Sequence, residues 1–435
     1  MRQMRQTSLD WLGDIPASWE IKKIKYVLQE RVEKNNPIQT TAILSLTAKQ
    51  GVIPYEEKEG GGNKPKEDVS AYRLAYPGDI VMNSMNILSG SVGLSKYYGC
   101  VSPVYYMLRP FDADDDVRFF NYIFQTTVFQ RSLFGLGNGI MIKESGNGKL
   151  NTIRMRIPMD KFGSLFIPIA SPAEQKTISD YLDYKCSSID ALMADLQKQA
   201  ATLEEYRQSV ICEAVTGGLD HSIPKKESGV DWCPLIPEHW TVTNPKALFT
   251  LRNQRASEGE RQLTASQKLG IVYQDDFMEM ENQKVVTVEK DFSILKHVEP
   301  NDFVISMRSF QGGLEYSELS GSISSAYVML IPNEGKVYPP FYRWFFKSSQ
   351  YINAIQSTTN LVRDGQAMRY ANFVQVPLFI IPMEEQKSIA DYLDGRIEKI
   401  DSVLNDKYRQ IDILEDYKKA VIYEFVTGKK EVPTA

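Results

Sequence analysis

The sequence predicts an α+β protein: two mixed α/β domains joined by two long helices that form an antiparallel coiled coil, arranged as a pseudo-twofold internal repeat. Three recurrences predict it. Asp10-Trp11, Ile15-Pro16 and Trp19 return 221 residues on as Asp231-Trp232, Ile236-Pro237 and Trp240. Glu174-Gln175-Lys176, Ile178 and Asp180-Tyr181-Leu182-Asp183 return 211 residues on as Glu385-Gln386-Lys387, Ile389 and Asp391-Tyr392-Leu393-Asp394. Val215-Thr216-Gly217 returns as Val426-Thr427-Gly428. So long a period lies far outside the roughly 20–50 residues of solenoid repeats and marks two copies of a whole domain-plus-helix unit.

The helices are the clearest elements. Leu182, Cys186, Ile189, Met193, Leu196, Ala200, Leu203, Val210 and Ala214 fall at four–three spacing, as do Leu393, Ile397, Ile400, Leu404, Ile411, Leu414, Val421 and Phe425. A sustained heptad is the signature of coiled-coil helices. Neither run holds an internal proline, and Gly395 is the one internal glycine. Pro172 and Pro382 precede the runs and Gly217 and Gly428 follow them, as expected at helix starts and stops. Each helix would measure roughly 66 Å at 1.5 Å per residue. The simplest arrangement pairs them antiparallel. Lys407 stands where the first seam has Leu196, and Arg207 matches Lys418; charges at seam positions cost stability but select register.

The expected boundaries are a first domain over 1–172, a long helix over 173–216, a linker and second domain over 217–382, a second long helix over 383–428 and a tail over 429–435. In the domains, Asp79 to Met82, Val101 to Leu108, Asp302 to Ile305 and Ser325 to Ile331 read as strands from their β-branched and aromatic residues. Phe119–Phe129 and Phe341–Tyr351 each read as a short amphipathic helix. Trp11, Trp19, Trp232 and Trp240 are flanked by proline and read as core anchors. Loops diverge between the copies: neither Gly60-Gly61-Gly62-Asn63-Lys64 nor Gly135 to Arg156 has an evident twin. A repeated scaffold with unlike loops implies two surfaces that bind unlike things.

Composition narrows the function. The chain has 435 residues, 43% hydrophobic and 24% charged, ordinary for a globular protein and room for two to three domains. No run reaches the roughly 18–20 apolar residues of a membrane span, and the first ten residues lack the apolar core of a signal peptide. The four cysteines, Cys100, Cys186, Cys212 and Cys233, show no CxxC spacing and read as thiols of a reducing cytoplasm. The three histidines, His221, His239 and His297, have no ligand partner at short spacing, so no metal is expected. Net charge is −5. Each helical run carries −4, which leaves the remainder near +3.

Catalytic signatures are missing. Gly148-Lys149 is followed by Leu150 instead of Ser or Thr, and Gly135-x-Gly137-x-Gly139 lacks the last spacing of a dinucleotide loop. Asn36-Pro37-Ile38 is not the Asn-Pro-Pro-aromatic motif of an amino-methyltransferase. No Gly-x-Ser-x-Gly elbow occurs. No cofactor is expected.

The doubled Glu-Gln-x-x-Ile-x-x-Tyr-Leu-Asp helix start, the Leu-Glu-x-Tyr segments at Leu203–Tyr206 and Leu414–Tyr417, the Val-Thr-Gly helix ends and the Ile-Pro-x-x-Trp entries resemble one family, in order and over almost the whole chain. It is the specificity subunit of type I restriction-modification systems. The resemblance implies two target-recognition domains, each reading one half of a split sequence in double-stranded DNA. It implies that the paired helices act as spacers and help recruit two copies of a modification (adenine methyltransferase) subunit, with motor-nuclease restriction subunits completing the enzyme. It also implies a non-catalytic, cytoplasmic chain with no membrane role. The alternative is a stand-alone DNA methyltransferase or nuclease with dispersed catalytic residues.

Reading base edges calls for Arg, Lys, Asn, Gln or Ser on loops that reach a groove. The first-domain candidates are Asn83, Asn86, Ser89, Lys143, Lys149 and Arg154. The second-domain candidates are Arg308, Ser309 and Gln311, directly after a strand, and Arg363, Gln366, Arg369 and Tyr370, in a stretch that resembles the loop family members place before the spacer helix. Lys64 and Lys66 are candidates for phosphate. A solvated loop is the competing reading for each. The low net charge leaves phosphate neutralisation, the main source of DNA affinity, partly to partner subunits, so the isolated chain should bind DNA weakly.

Overall fold

The computed structural model describes residues 2–47, 50–58, 64–137, 142–144, 150–152, 156–267, 269–281, 294–306, 309–358 and 368–433. The chain forms two compact units, one of residues 1–195 with 410–435 and one of residues 196–409. The long helices span Pro172–Gly217 and Met383–Val426, so each unit takes the start of one and the end of the other.

Within the first unit, a four-stranded antiparallel sheet runs in the order Leu28–Arg31, Tyr105–Pro110, Ile80–Asn83, Val92–Leu94. Alternate side chains of a strand face opposite sides, and the sheet is buried on both. Ile80, Met82, Tyr106 and Leu108 enter a large core with Phe119, Phe120, Phe124, Leu182 and Phe425. Val81 and Met107 point the other way, into a small core with Leu44, Leu46, Val52 and Val101. The second unit repeats the order with Phe249–Arg252, Val328–Pro332, Phe303–Ile305 and Glu315–Tyr316. Phe303, Ile305 and Leu330 enter its large core and Val304 and Met329 its small one.

A repeated ion pair ties each sheet together. Arg31 holds Asp79 in a bidentate pair at 2.9 and 3.2 Å, and Arg252 holds Asp302 in the same way. Both aspartates are buried, and each also accepts the backbone N–H three residues earlier, from Tyr76 and Glu299. The tight turn before each aspartate needs a left-handed residue. Gly78 (φ +87°) supplies it in one unit and Asn301 (φ +76°) in the other, asparagine being among the few non-glycine residues that tolerate this region.

Sequence and structure differ where one helix was expected over Phe119–Phe129. Two form, Val117–Gln125 and Thr127–Ser132. The Thr126 hydroxyl donates to the Ile123 carbonyl and accepts from the Phe129 N–H, ending one helix and capping the next. The twin segment also divides, into Pro339–Phe345 and Ser349–Ser357.

The long helices pair antiparallel within each unit. In the first, the Tyr181 ring lies 4.6 Å from that of Phe425 and Asp190 meets Lys418 at 2.6 Å. In the second, Glu204 accepts from the Tyr408 hydroxyl at 3.0 Å and Asp401 meets Arg207 at 2.7 Å. The charged seam residues Arg207 and Lys418 therefore bind acids that are themselves repeat partners. Of the expected seam, Leu182, Cys186, Ile189, Leu196, Ala200, Leu393, Ile397, Ile400, Leu404 and Ile411 are buried, while Met193, Leu203 and Leu414 are half-buried. All four cysteines are free and buried, and burial pushes the Cys186 and Cys233 thiols up to about 11.

Truncation should separate seam from surface. Leu393→Ala, at a fully buried position, should lower the unfolding free energy by about 2–5 kcal/mol. Tyr417→Ala, half exposed on the same helix, should change it by less than about 0.5 kcal/mol. Urea denaturation followed by circular dichroism measures both.

Candidate nucleic-acid interface

Each unit holds its long-helix start through the repeated Glu-Gln and Asp residues. Trp19 Nε1 donates to Glu174 at 2.9 Å, and Trp240 Nε1 to Glu385 at 3.0 Å. Gln175 is fully buried; it accepts the Asp116 N–H and donates to the Ala170 carbonyl and to Asp115. Gln386, equally buried, accepts the Tyr338 N–H and donates to the carbonyls of Ile381 and Lys336. Asp183 receives the Tyr122 hydroxyl and Arg118. Asp394 receives Trp344 Nε1 and Arg343. Burial and the Asp183 carboxylate both raise the Tyr122 pKa above the usual range, so the hydroxyl stays a donor. The helix ends close the same corners. A Cβ on Gly428 (φ +68°) would lie 2.4 Å from Pro16 and 3.1 Å from Trp19, so only glycine fits at that ending, whereas a Cβ on its twin Gly217 would meet only the Lys225 ammonium at 3.5 Å. Trp19 and Trp240 are buried and Trp11 and Trp232 half-buried in aromatic clusters, as anchors should be.

This scaffold presents a loop after the same strand of each sheet. In the first unit, Asn83 ends the strand, is buried, and accepts the Met85 N–H. Asn86 is exposed just before the short 3-10 turn Ile87–Ser89. Lys143 sits on the strand Ile142–Glu144, paired opposite Asn151 of the strand Leu150–Thr152. That second strand packs beside the Ile87–Ser89 turn, so the fold brings two candidate groups that are far apart in sequence to one place. Ser89 and Lys143 are described as backbone alone, and Lys149 and Arg154 lie outside the described residues. Lys64 and Lys66 are exposed.

In the second unit, Ser309 is buried, with its hydroxyl accepting the Ser306 N–H at 2.8 Å. Gln311 is exposed and lines a cavity of about 670 Å³. Arg369 is exposed and Tyr370 half-buried against Phe373. The Arg369 N–H donates to Asn372, whose amide reaches the Thr358 carbonyl. Arg308, Arg363 and Gln366 lie outside the described residues.

Two arrangements had no sequence signal. Lys347 reaches under the second-unit loop, its ammonium 2.8 Å from the Gly312 carbonyl and 2.6 Å from Glu315. Burial raises the Glu315 pKa and Lys347 partly offsets it. Next to them, a Cβ on Gly313 (φ +78°) would lie 2.0 Å from the Phe346 carbonyl oxygen. The stretch that carries Gln311 is thus pinned at its C-terminal end. His297, buried, faces Glu260 at 2.9 Å and Glu299 at 2.7 Å. Neutral imidazole has one N–H, so donation to both carboxylates requires the imidazolium. Burial opposes that charge, but the two hydrogen bonds and charges outweigh it, and the His297 pKa rises above its ordinary value.

Among the described residues no group of His, Cys, Asp or Glu is placed to hold a metal ion, and no helix is long and apolar enough to cross a membrane. The class defined here is a duplicated two-unit α+β protein, each unit carrying a divergent loop after the same strand of its sheet and the start of one long helix paired antiparallel with the end of the other. No protein-family model matches the chain. The putative type I restriction enzyme MjaX specificity subunit of Methanocaldococcus jannaschii is 23% identical over 97% of this chain and 96% of that protein. The type I restriction enzyme EcoBI specificity subunit of Escherichia coli is 25% identical over 54% of this chain and 52% of that protein. A solved chain from work on complex assembly and conformational transition of the type I R-M system covers 96% of this chain and 99% of its own at a TM-score of 0.66, with 12% identity, and shares the fold. The chain is thus similar over nearly its whole length to a protein named as a type I specificity subunit, and it has the fold of a solved chain from a type I R-M system.

Lys347→Met should destabilise the second unit by about 3 kcal/mol, the low end for breaking a buried pair, because Lys347 keeps some solvent; adding Glu315→Gln should restore most of it, read by denaturant midpoint. The raised His297 pKa contributes stability that is full below its unfolded value and lost as pH rises through its folded value. The midpoint should therefore fall as pH rises from the ordinary histidine value through the raised folded value, and His297→Gln should flatten that part of the profile.

Proposed function

We propose that the chain is the non-catalytic DNA-recognition subunit of a type I restriction-modification complex, reading a bipartite duplex target with one half assigned to each unit. The observation that carries the reading is the duplication itself: sheet, ion pair and helix docking are repeated, while the loops over them are not. A protein binding one symmetric partner twice would need like loops; two unlike half-sites need unlike ones.

Asn86, Gln311, Arg369 and Tyr370, the described candidates with side chains at least partly open to solvent, are assigned to base contact, with Asn83, Ser89, Lys143, Lys149, Arg154, Arg308, Ser309, Arg363 and Gln366 completing the two loop sets. Direct readout supplies sequence discrimination, and most of the affinity for phosphate comes from elsewhere in the complex. The long helices act as spacer and recruit two copies of the modification subunit, which methylate adenine; the motor-nuclease subunits join that core. Tethering two readers converts the second docking into an intramolecular step. The work is done on DNA in the cytoplasm.

Methylome sequencing of the host with and without this gene checks the reading. The expected result is loss of one bipartite adenine-methylation motif, and replacement of residues 1–172 by those of a relative should alter one half of the motif alone. An unchanged methylome with all subunits expressed would refute it.

A further inference from the structure

The first unit carries an exposed surface that its copy lacks. Tyr26 and Phe111 are 66% and 58% exposed, yet they line one groove of about 400 Å³ together with Val27, Ile169 and Pro172. They are brought together because the Phe111 N–H donates to the Val27 carbonyl at 2.9 Å. Beside them runs Asp112-Ala113-Asp114-Asp115-Asp116. Asp114, Asp115 and Asp116 line a second groove of about 540 Å³ over Pro172 and Ala173, and Asp115 and Pro172 border both grooves. Among the described residues Asp116 alone of the four has an ion-pair partner, Arg118. Asp115 takes the neutral Gln175 amide.

The repeat register puts Ala247 and Asn333 where Tyr26 and Phe111 stand. It puts Glu334, Lys336, Val337 and Tyr338 where the four aspartates stand. The second unit therefore has neither the aromatics nor the acid cluster. Single exposed apolar residues need no explanation. The two large aromatics lie over grooves whose lining holds five carboxylates, Glu20, Asp112, Asp114, Asp115 and Asp116, against two ammonium groups, Lys22 (paired with Glu20) and Lys176; an exposed apolar face with that acidic excess calls for an occupant. Phosphate is disfavoured by that acidic excess, which argues against duplex DNA as the occupant. The complementary chemistry is a polypeptide segment with Lys or Arg beside an apolar side chain.

We infer that this face clamps such a cationic, apolar-tipped segment of one modification subunit, so that the two copies are held unequally, the tighter one at the first unit. The inference rests on the proposed function for its partner. It is directed to the modification subunit because both grooves run onto the start of the long helix that recruits it under that reading. A clamp present in one unit can serve one copy.

The test is made on the full chain reconstituted with its cognate modification subunit, with and without motor-nuclease subunit and target duplex. A photo-crosslinking benzoylphenylalanine in place of Tyr26 should label the modification subunit on a Lys/Arg-containing peptide, and the same group in place of Ala247 should not. Asp112→Lys with Asp114→Lys should cut the Tyr26-position yield about tenfold, and native mass spectrometry should then show two equal binding steps in place of one tight and one weaker. Crosslinks to DNA, to the motor-nuclease subunit or to a second copy of this chain would overturn the inference, as would no crosslink or equal labelling from position 247. A complex that still methylates its bipartite motif while position 26 stays silent overturns this inference alone; loss of the methylome result overturns the functional reading beneath it.

Discussion

Gln175 and Gln386 are polar, fully buried and placed where a long helix leaves its domain. A buried amide left unpaired costs about 1–3 kcal/mol per group, so each must find its partners in the domain behind it, and each does, with its oxygen on a backbone N–H and its nitrogen on a carbonyl. The glutamate before each glutamine takes the indole N–H of Trp19 or Trp240. The helix direction is thereby locked to the sheet, and every loop position discussed above depends on that lock. Remove the amide and the apolar seam still buries, but a buried backbone N–H and a carbonyl of the domain lose their partner, and the helix start is held by the Trp–Glu and Asp contacts alone.

The duplication is physical before it is chemical. Asp183 and Asp394 are identical, yet one is satisfied by a tyrosine hydroxyl and the other by an indole N–H. The arginines on them, Arg118 and Arg343, come from different helix positions: the register that pairs Phe119 with Phe341 aligns Arg343 with Asn121. The two copies conserve a donor at a point in space, not a residue at a place in sequence. The inter-helix pairs follow the same rule, Arg207 with Asp401 and Lys418 with Asp190. Being about a third or more exposed on one side, such pairs contribute at most about 1 kcal/mol each. The buried leucines and isoleucines supply the stability and the charges select the register.

Much of the fold was legible in the primary structure. The heptad runs, the flanking prolines and glycines and the paired Pro-x-x-Trp entries each report a local rule that tertiary context left in force. The break within 119–129 was not legible because a threonine that caps a helix looks like a threonine inside one until its hydroxyl partners, here Ile123 and Phe129, are known. The loop candidates were less legible. Asn83 and Ser309 are polar residues after a strand, the type that reads bases, but their side chains close local turns. Asn86 and Gln311, of the same types, stay open.

By itself the sequence determined that there are two copies and which helix faces are apolar, because repetition and periodicity are properties of order along the chain. Only the tertiary structure decided that Lys347 pins Gly312 and Glu315, that His297 lies between two carboxylates, and that Tyr26 and Phe111 meet over an acidic rim. Each of these joins residues remote in sequence through burial and charge, and no spacing along the chain encodes such a meeting.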